Sequence, residues 1–291
     1  MRQGREIFVH FVQVTMKYVF AFLILVFAIL GIYASMVEPF QLRVTEYSIE
    51  TDKWKGQPDL RVALVTDTHA IWPWMTVSHI DRIVTEVNAL KPDLILLLGD
   101  YVATHPFGIQ IPPEEGVKPY ESLNARCGVF SVLGNHDLHG NGSEGWPDAM
   151  RSSSIPLLEN QSEHVECEGF SFYVSGLEDL WWQKPDIDKA LDSIPIGEPV
   201  IMMMHNPDLF VEIPSMVTLS VAGHTHAGQI RFPFIGAVES VIPSRYGKRF
   251  VYGHITENNK DLIVSAGVGN TGIPLRFLNK PEVVLITLSS E

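Results

Sequence analysis

Cysteine is scarce in this chain: Cys127 and Cys167 are the only two among 291 residues. Two cysteines exclude a disulfide-dense secreted scaffold and a four-cysteine structural zinc site. Both lie in strand-like stretches, so the expectation is a pair of free, buried thiols. Positive charge is short as well. Lys and Arg number 21 against 34 Asp and Glu, a formal net charge of −13. That argues against the basic face that nucleic acid requires, so no nucleic-acid partner is expected. An acidic balance also serves plain solubility. No internal repeat and no low-complexity tract is present, and no second apolar run resembles a membrane anchor. The hydrophobic share of 46% supports a sizeable core, in one large domain or two small ones.

One long stretch has no charge at all. Residues 18–37 are apolar and uncharged between Lys17 and Glu38. A helix needs about 20 residues to cross a bilayer. The expectation is a segment 1–37 carrying an uncleaved single-pass anchor, with its span at about 18–37. A signal peptide is the rival, because Ala34-Ser35-Met36 looks like a cleavage site. The run is longer than the roughly 7–15 residues of a signal core. Arg2, Arg5 and Lys17 precede the span, while Arg43, Lys53 and Lys55 follow it. The positive-inside rule leans toward an N-in anchor with the large domain outside the cytoplasm. Residues 38–60 read as a linker with an edge strand at 40–49, and residues 61–291 as the globular domain.

Five short apolar runs each end in a polar punctuation. Residues 61–66 lead into Asp67-Thr68-His69, and residues 94–98 into Gly99-Asp100. Residues 128–133 lead into Gly134-Asn135-His136-Asp137. Residues 200–204 lead into His205-Asn206, and residues 218–222 into Gly223-His224-Thr225-His226. Apolar runs bounded by turn signals read as buried strands. Ligands bind beyond the carboxyl ends of strands in open α/β sheets. Between the first two runs, Ile80, Ile83, Val84, Val87 and Leu90 share a helical face. Ser78 with Asp81 is read as the capping box, and Pro92 as the stop. The later chain predicts a short helix at 146–153, two strands around Glu168-Gly169 and a helix at 186–194. Strands are also expected at 249–254, 262–266 and 283–288. Two layered sheets follow from this distribution.

The punctuation residues are metal-ligand types. Two close cations need a shared anionic ligand, and a carboxylate bridges where a neutral imidazole does not readily. Asp100, alone after its strand, is the candidate bridge. One ion takes Asp67, His69, Asp100 and His226; the other takes Asp100, Asn135, His205 and His224. Oxygen and nitrogen ligands without thiolate suit two divalent ions, with Mn²⁺ first and Fe or Zn as alternatives. Such a pair clamps a phosphoryl oxygen and acidifies water. His136 is next to a ligand and is better placed to stabilise the transition state or protonate the leaving oxygen. Asp137 either orients His136 or supports the turn. Arg276 is a candidate contact to substrate phosphate, with a salt bridge as the alternative.

In order and spacing these motifs resemble the calcineurin-like metallophosphoesterase superfamily over residues 61–288. The resemblance implies an α/β fold, a four-layer α/β/β/α sandwich of two mixed sheets, here preceded by one N-terminal transmembrane helix. It implies the same metal and His136 roles. His205-Asn206-Pro207-Asp208, the Gly223–Ile230 stretch and the Gly267–Phe277 tail look like membrane-anchored bacterial phosphodiesterases. That branch includes hydrolases of UDP-2,3-diacylglucosamine in lipid A biosynthesis. Two departures bear on substrate: the first motif lacks its usual following glycine, and Asp100 is not followed by a second acidic residue.

The expectation is therefore a phosphodiesterase or pyrophosphatase in the bacterial inner membrane. Its substrate is a small-molecule or lipid-linked phosphodiester, and membrane lipid is a partner. A broad extracytoplasmic phosphodiesterase and a non-catalytic binding protein are the alternatives. Trp72, Trp74, Trp181 and Trp182 either meet lipid or pack in the core. The remaining histidines, His10, His79, His105, His139, His164 and His254, read as surface or core residues.

Overall fold

A computed structural model describes residues 2–104 and 106–290. Its first element is the apolar helix α1 (Arg2–Met36), followed by β1 (Arg43–Glu50), β2 (Leu60–Val65) and helix α2 (Val77–Ala89). Then come β3 (Leu94–Leu97), β4 (Val129–Ser131), helix α3 (Trp146–Ser152), β5 (Gln161–Cys167) and β6 (Phe170–Gly176). Helix α4 (Ile187–Leu191), β7 (Val200–Met203), β8 (Leu219–Ala222), β9 (Gly253–Glu257), β10 (Lys260–Val264) and β11 (Glu282–Ser289) complete the frame.

These strands form two sheets. The first has the order β1-β11-β2-β3-β4, and the second β9-β10-β8-β7-β6-β5. Both are mixed: β2, β3 and β4 run parallel, as do β6, β7, β8 and β10, while β11 is antiparallel to β2. The expected edge strand is β1, at the rim of the first sheet.

Side-chain alternation sets the layers. Leu64, Leu96 and Leu98 point into the core between the sheets, where they join Ile201, Met203 and Val221. Ala63, Val65, Ile95 and Leu97 point the other way, onto Ile80, Ile83, Val84 and Val87 of α2. Each such aliphatic side chain contributes about 1.5–3 kcal/mol on burial. A strand buried on both faces must be apolar at every position, which is why these runs do not alternate in sequence. On the outer face of the second sheet, Met202, Met204 and Leu262 pack under Ala190, Leu209, Phe210 and Phe250. The result is helix, sheet, sheet and short-helix layers, the α/β/β/α sandwich.

Three local expectations need correction. The cap of α2 is Thr76, whose hydroxyl accepts the His79 amide at 3.3 Å, so Ser78 and Asp81 form no capping box. Residues 247–250 form a 3₁₀ turn that covers the second sheet, and β9 starts only at Gly253. Cys127 and Cys167 are not free thiols. They form a disulfide with Cα atoms 5.2 Å apart, across a sequence separation of 40. Cys127 precedes β4 and Cys167 ends β5, so the bond ties an edge of one sheet to an edge of the other. His105 lies outside the described residues.

Candidate metal centre

The carboxyl ends of β2, β3, β7 and β8 converge with the loop after β4. Asp67, Asp100, His205, His224 and His226 are all essentially buried there, with His69 and Asn135. Five of these seven take left-handed backbone angles: φ is 54° at Asp67, 49° at His69, 55° at Asp100, 70° at His224 and 49° at His226. Such angles in non-glycine residues cost on the order of 1–3 kcal/mol each. They are how a strand end turns its side chain back over the sheet edge. Glycines let the loops close up. A Cβ on Gly223 would lie 2.1 Å from Thr66 Oγ1 and 2.4 Å from Asp67 Oδ2. A Cβ on Gly99 would lie 2.3 Å from the Gly134 amide nitrogen.

Backbone carbonyls fix the histidine rings. A carbonyl only accepts, so the ring nitrogen facing it carries the proton. His69 Nδ1 donates to Val102 O (3.1 Å), and His205 Nδ1 donates to Leu98 O (2.7 Å). His224 Nε2 donates to Pro243 O at 2.8 Å. Each ring is left presenting its other nitrogen inward, as a metal-ligating histidine does.

Those inward atoms form two clusters. In one, His69 Nε2 and His226 Nε2 stand 3.0 Å apart, and Asp67 Oδ1 is 3.2 Å from His226 Nε2. In the other, His224 Nδ1 and Asn135 Oδ1 each lie 3.2 Å from His205 Nε2. Asp100 Oδ2 lies between them, 3.6 Å from His69 Nε2 and 3.2 Å from His205 Nε2. The ligand atoms of Asp67, His69 and His226 lie within 4.8 Å of one another, as do those of Asp100, His205 and His224. Facing ring nitrogens at such distances need a proton or a cation between them.

Electrostatics points the same way. Burial holds His69 well below the usual histidine range and pulls His224 down to about 3, helped by His205. Burial opposes charge on His205 too, but Asp100, Asp67 and Asp179 overcome it and push this ring up to about 10. These three buried carboxylates thus demand positive charge at His205, and a divalent cation meets that demand better than one proton.

Asp137 proves to be a turn support. Its carboxylate accepts the amides of Asp100 (2.8 Å), Tyr101 (2.7 Å) and Gly134 (2.8 Å). Burial and the Asp100 charge raise it to about 7. His136 is half-buried at the mouth. Its Nδ1 is hydrogen-bonded to Thr104 Oγ1 and its Nε2 lies 3.3 Å from Thr271 Oγ1. The two threonines carried no signal in sequence, because neither follows a strand.

Arg276 does not face substrate. It is fully buried, and its guanidinium donates to the carbonyls of Gly269, Ala266, Gly267 and Asn279. Burial pulls it down to about 10. It lies 3.4 Å from His226 Nδ1 and so braces the loop behind that ring. The sequence candidate for phosphate contact is therefore a structural residue.

A cavity of about 320 Å³ opens over the clusters. Asp100, Asn135, His136, His224 and His226 form its floor; Trp181, Ile230, Val241 and Ile273 form an apolar wall. Trp181 stands edge-on to His224, with ring centroids 4.5 Å apart. Trp181, Trp182 and Trp72 are all substantially exposed, so ordinary core packing does not account for them.

Known proteins give this constellation a setting. A family model described as calcineurin-like phosphoesterase matches residues 60–228. The uncharacterized metallophosphoesterase YkuE of Bacillus subtilis is 30% identical, over 89% of this chain and 89% of that protein. A putative metallophosphoesterase of Caenorhabditis elegans is 29% identical, over 91% of this chain and 55% of its own length. A zebrafish (Danio rerio) protein named as a transmembrane protein with a metallophosphoesterase domain is 27% identical, over 91% of this chain and 61% of its own length.

Proposed function

The chain belongs to the calcineurin-like phosphoesterase family and is a metal-dependent phosphoesterase; from that premise we propose that it hydrolyses a phosphodiester at the outer surface of a membrane to which it is anchored. The two ligand clusters fit the family's dinuclear site. One observation carries the chemistry: a single carboxylate oxygen, Asp100 Oδ2, within 3.6 Å of His69 Nε2 and 3.2 Å of His205 Nε2.

In this reading Asp67, His69, Asp100 and His226 hold one divalent ion. Asp100, Asn135, His205 and His224 hold the other. Bound there, the ions supply positive charge against the phosphoryl group and acidify the attacking water. The protein does the rest. Asp100 is kept in register by the His136 amide, which donates to its Oδ1 at 2.8 Å. The Val102, Leu98 and Pro243 carbonyls keep three imidazoles aimed inward. As water bonds to phosphorus and the ester P–O bond breaks, His136 delivers a proton to the leaving oxygen. Thr104 holds its ring through Nδ1, and Thr271 Oγ1 lies 3.3 Å from Nε2.

Two observations support the location. A stretch long and apolar enough to cross a membrane, His10–Phe40, takes in most of α1 and the turn just after it, and it is hardly buried against the rest of the chain. The Cys127–Cys167 disulfide favours an oxidising compartment for the domain. This agrees with the N-in, domain-out topology read from charge. The finer alternative, cleavage of UDP-2,3-diacylglucosamine, requires a cytoplasmic domain; the apolar cavity wall favours it, and the disulfide speaks against it.

The test is hydrolysis by detergent-solubilised full chain with Mn²⁺. Bis(p-nitrophenyl) phosphate and UDP-2,3-diacylglucosamine are compared, alongside a C-terminal topology reporter. Cleavage of the aryl diester with an external reporter is expected. UMP release with a cytoplasmic reporter would install the lipid A reading instead.

A further inference from the structure

The carboxyl-terminal turn of α1 does not hang free of the catalytic domain. The Arg276 amide donates to Ala34 O at 2.9 Å, and the Asn279 amide donates to Glu38 Oε1. Asn279 Nδ2 in turn donates to His226 O at 2.7 Å. The end of the apolar helix is therefore one residue removed from a histidine of the metal centre. Ala34 lies within one turn of the end of the charge-free run, whose length matches the hydrocarbon thickness at about 1.5 Å per residue. Residues 276–279 consequently stand at the level where a bilayer gives way to water.

A small β-ribbon is fastened to this same segment. Its strands Arg231–Phe232 and Gly236–Ala237 pair antiparallel, Arg231 with Ala237 and Phe232 with Gly236. The Arg231 amide donates to Phe277 O at 2.9 Å, and Ile230 bridges to Phe277. The tip is apolar and turned outward. Phe234 is fully exposed at 108%, with Phe232, Ile235, Ile273 and Leu278 exposed around it. A soluble surface does not gather this much unpartnered apolar side chain without a use. Basic groups border it. Lys248 Nζ donates to Ile235 O, and Lys280 is exposed beside Asn279. This contrasts with the acidic balance of the whole chain, and suits anionic headgroups. The ribbon also continues the cavity: Gly228, Gln229 and Ile230 line it, and Arg231 follows directly.

We propose that the ribbon Arg231–Ala237, with Ile273 and Leu278, is a membrane-contact surface. It seats the mouth of the metal cavity against the headgroup layer of the bilayer that α1 crosses. An apolar tip flanked by lysines enters an interface in this way, aromatic groups at the acyl boundary and ammonium groups among the phosphates. The substrate class that this placement selects is a phosphodiester carried on a lipid. Its phosphate meets the metal ligands while its chains lie along Ile230, Val241 and Ile273 toward the membrane. The inference rests on the reading of α1 as a span and of the clusters as a phosphoesterase site.

The experiment uses the full chain in phosphatidylcholine–phosphatidylglycerol nanodiscs, with an environment-sensitive dye on one cysteine at a time. The native pair is bonded and does not label. Phe27→Cys lies within α1 and reports the span; Phe234→Cys reports the ribbon. Ile196→Cys precedes β7, at the opposite edge of the sheet from the metal centre, and reports water. Lipids spin-labelled near the headgroup are the quencher. Blue-shifted emission and strong quenching are expected at 27 and 234, and neither at 196. Quenching at 27 with a water-like signal at 234 overturns the proposal. A water-like signal at 27 removes the span instead. Hydrolysis of soluble bis(p-nitrophenyl) phosphate, run in parallel, judges the phosphoesterase reading separately. Phe234→Asp, read with the dye on Ile235→Cys, is expected to leave that activity unchanged while abolishing surface contact; no loss of contact in this variant also counts against the ribbon.

Discussion

Asp100 Oδ2 lies 3.2 Å from His205 Nε2, while the other oxygen of the same carboxylate accepts the His136 amide at 2.8 Å. One side chain therefore links a metal cluster to the backbone of the proposed proton donor. It also explains why Asp137 is so rigidly employed: its carboxylate holds the Asp100 and Gly134 amides together, 2.8 Å from each. Moving any one of these groups moves all of them.

His136→Gln separates proton delivery from metal holding. A fall in kcat of roughly 10²–10⁴-fold, the range for a general acid, is expected with metal content unchanged. The loss should be greater for alkyl leaving groups than for nitrophenolate, which needs little protonation. Equal losses on both substrates would assign His136 to charge stabilisation instead.

Gly223→Ala tests the close approach of two strand ends. Its Cβ would press on Thr66 Oγ1 and Asp67 Oδ2. Asp67 must yield, since the two loops are fixed by their strands. A stability loss of about 1–3 kcal/mol is expected from overpacking. The cluster of Asp67, His69 and His226 should also weaken in metal titration more than that of Asp100, His205 and His224.

The disulfide gives a stability prediction independent of catalysis. Closing a loop of 40 residues stabilises by about 4 kcal/mol in the chain-entropy model. Cys127→Ala should lower the denaturation midpoint accordingly and leave metal content intact. Thiol labelling of the unfolded wild-type chain should fail until a reductant is added; immediate labelling would remove the argument for an oxidising compartment.

Arg276→Ala should act on stability. It leaves the buried Gly269 and Ala266 carbonyls without that donor, at about 1–3 kcal/mol for each unsatisfied group. A phosphate-binding arginine would instead raise KM in a folded protein. The ratio of thermal shift to KM change decides between these roles.

Much of this architecture is readable from sequence because β2, β3, β7 and β8 are buried on both faces. Such strands are almost continuously apolar, with the exposed Arg61 of β2 and the buried Ser220 of β8 as exceptions, so the polar residues after them stand out. The ligand types at Asp67, His69, Asp100, Asn135, His205, His224 and His226 stand out for that reason. What escapes is what depends on tertiary packing. Cys127 and Cys167 meet only because two sheet edges stack, which spacing along the chain does not encode. Arg276 looks like a surface cation until the loop from Gly267 folds over it. Thr104 and Thr271 belong to irregular segments where no period or strand end marks a side chain. Thr76 wins the α2 cap from Ser78 through backbone geometry at the turn before the helix.

A dinuclear centre bridged by Asp100 stands or falls on metal counting in Asp100→Ala. Purified wild-type and variant chains are loaded with Mn²⁺, dialysed and measured by elemental analysis, with aryl diester hydrolysis recorded on the same samples. Two ions per wild-type chain are expected. In the variant, fewer ions and an activity loss exceeding the roughly 100-fold typical of removing a group that only hydrogen-bonds to a ligand are expected. Two ions and full activity in the variant would contradict the bridge.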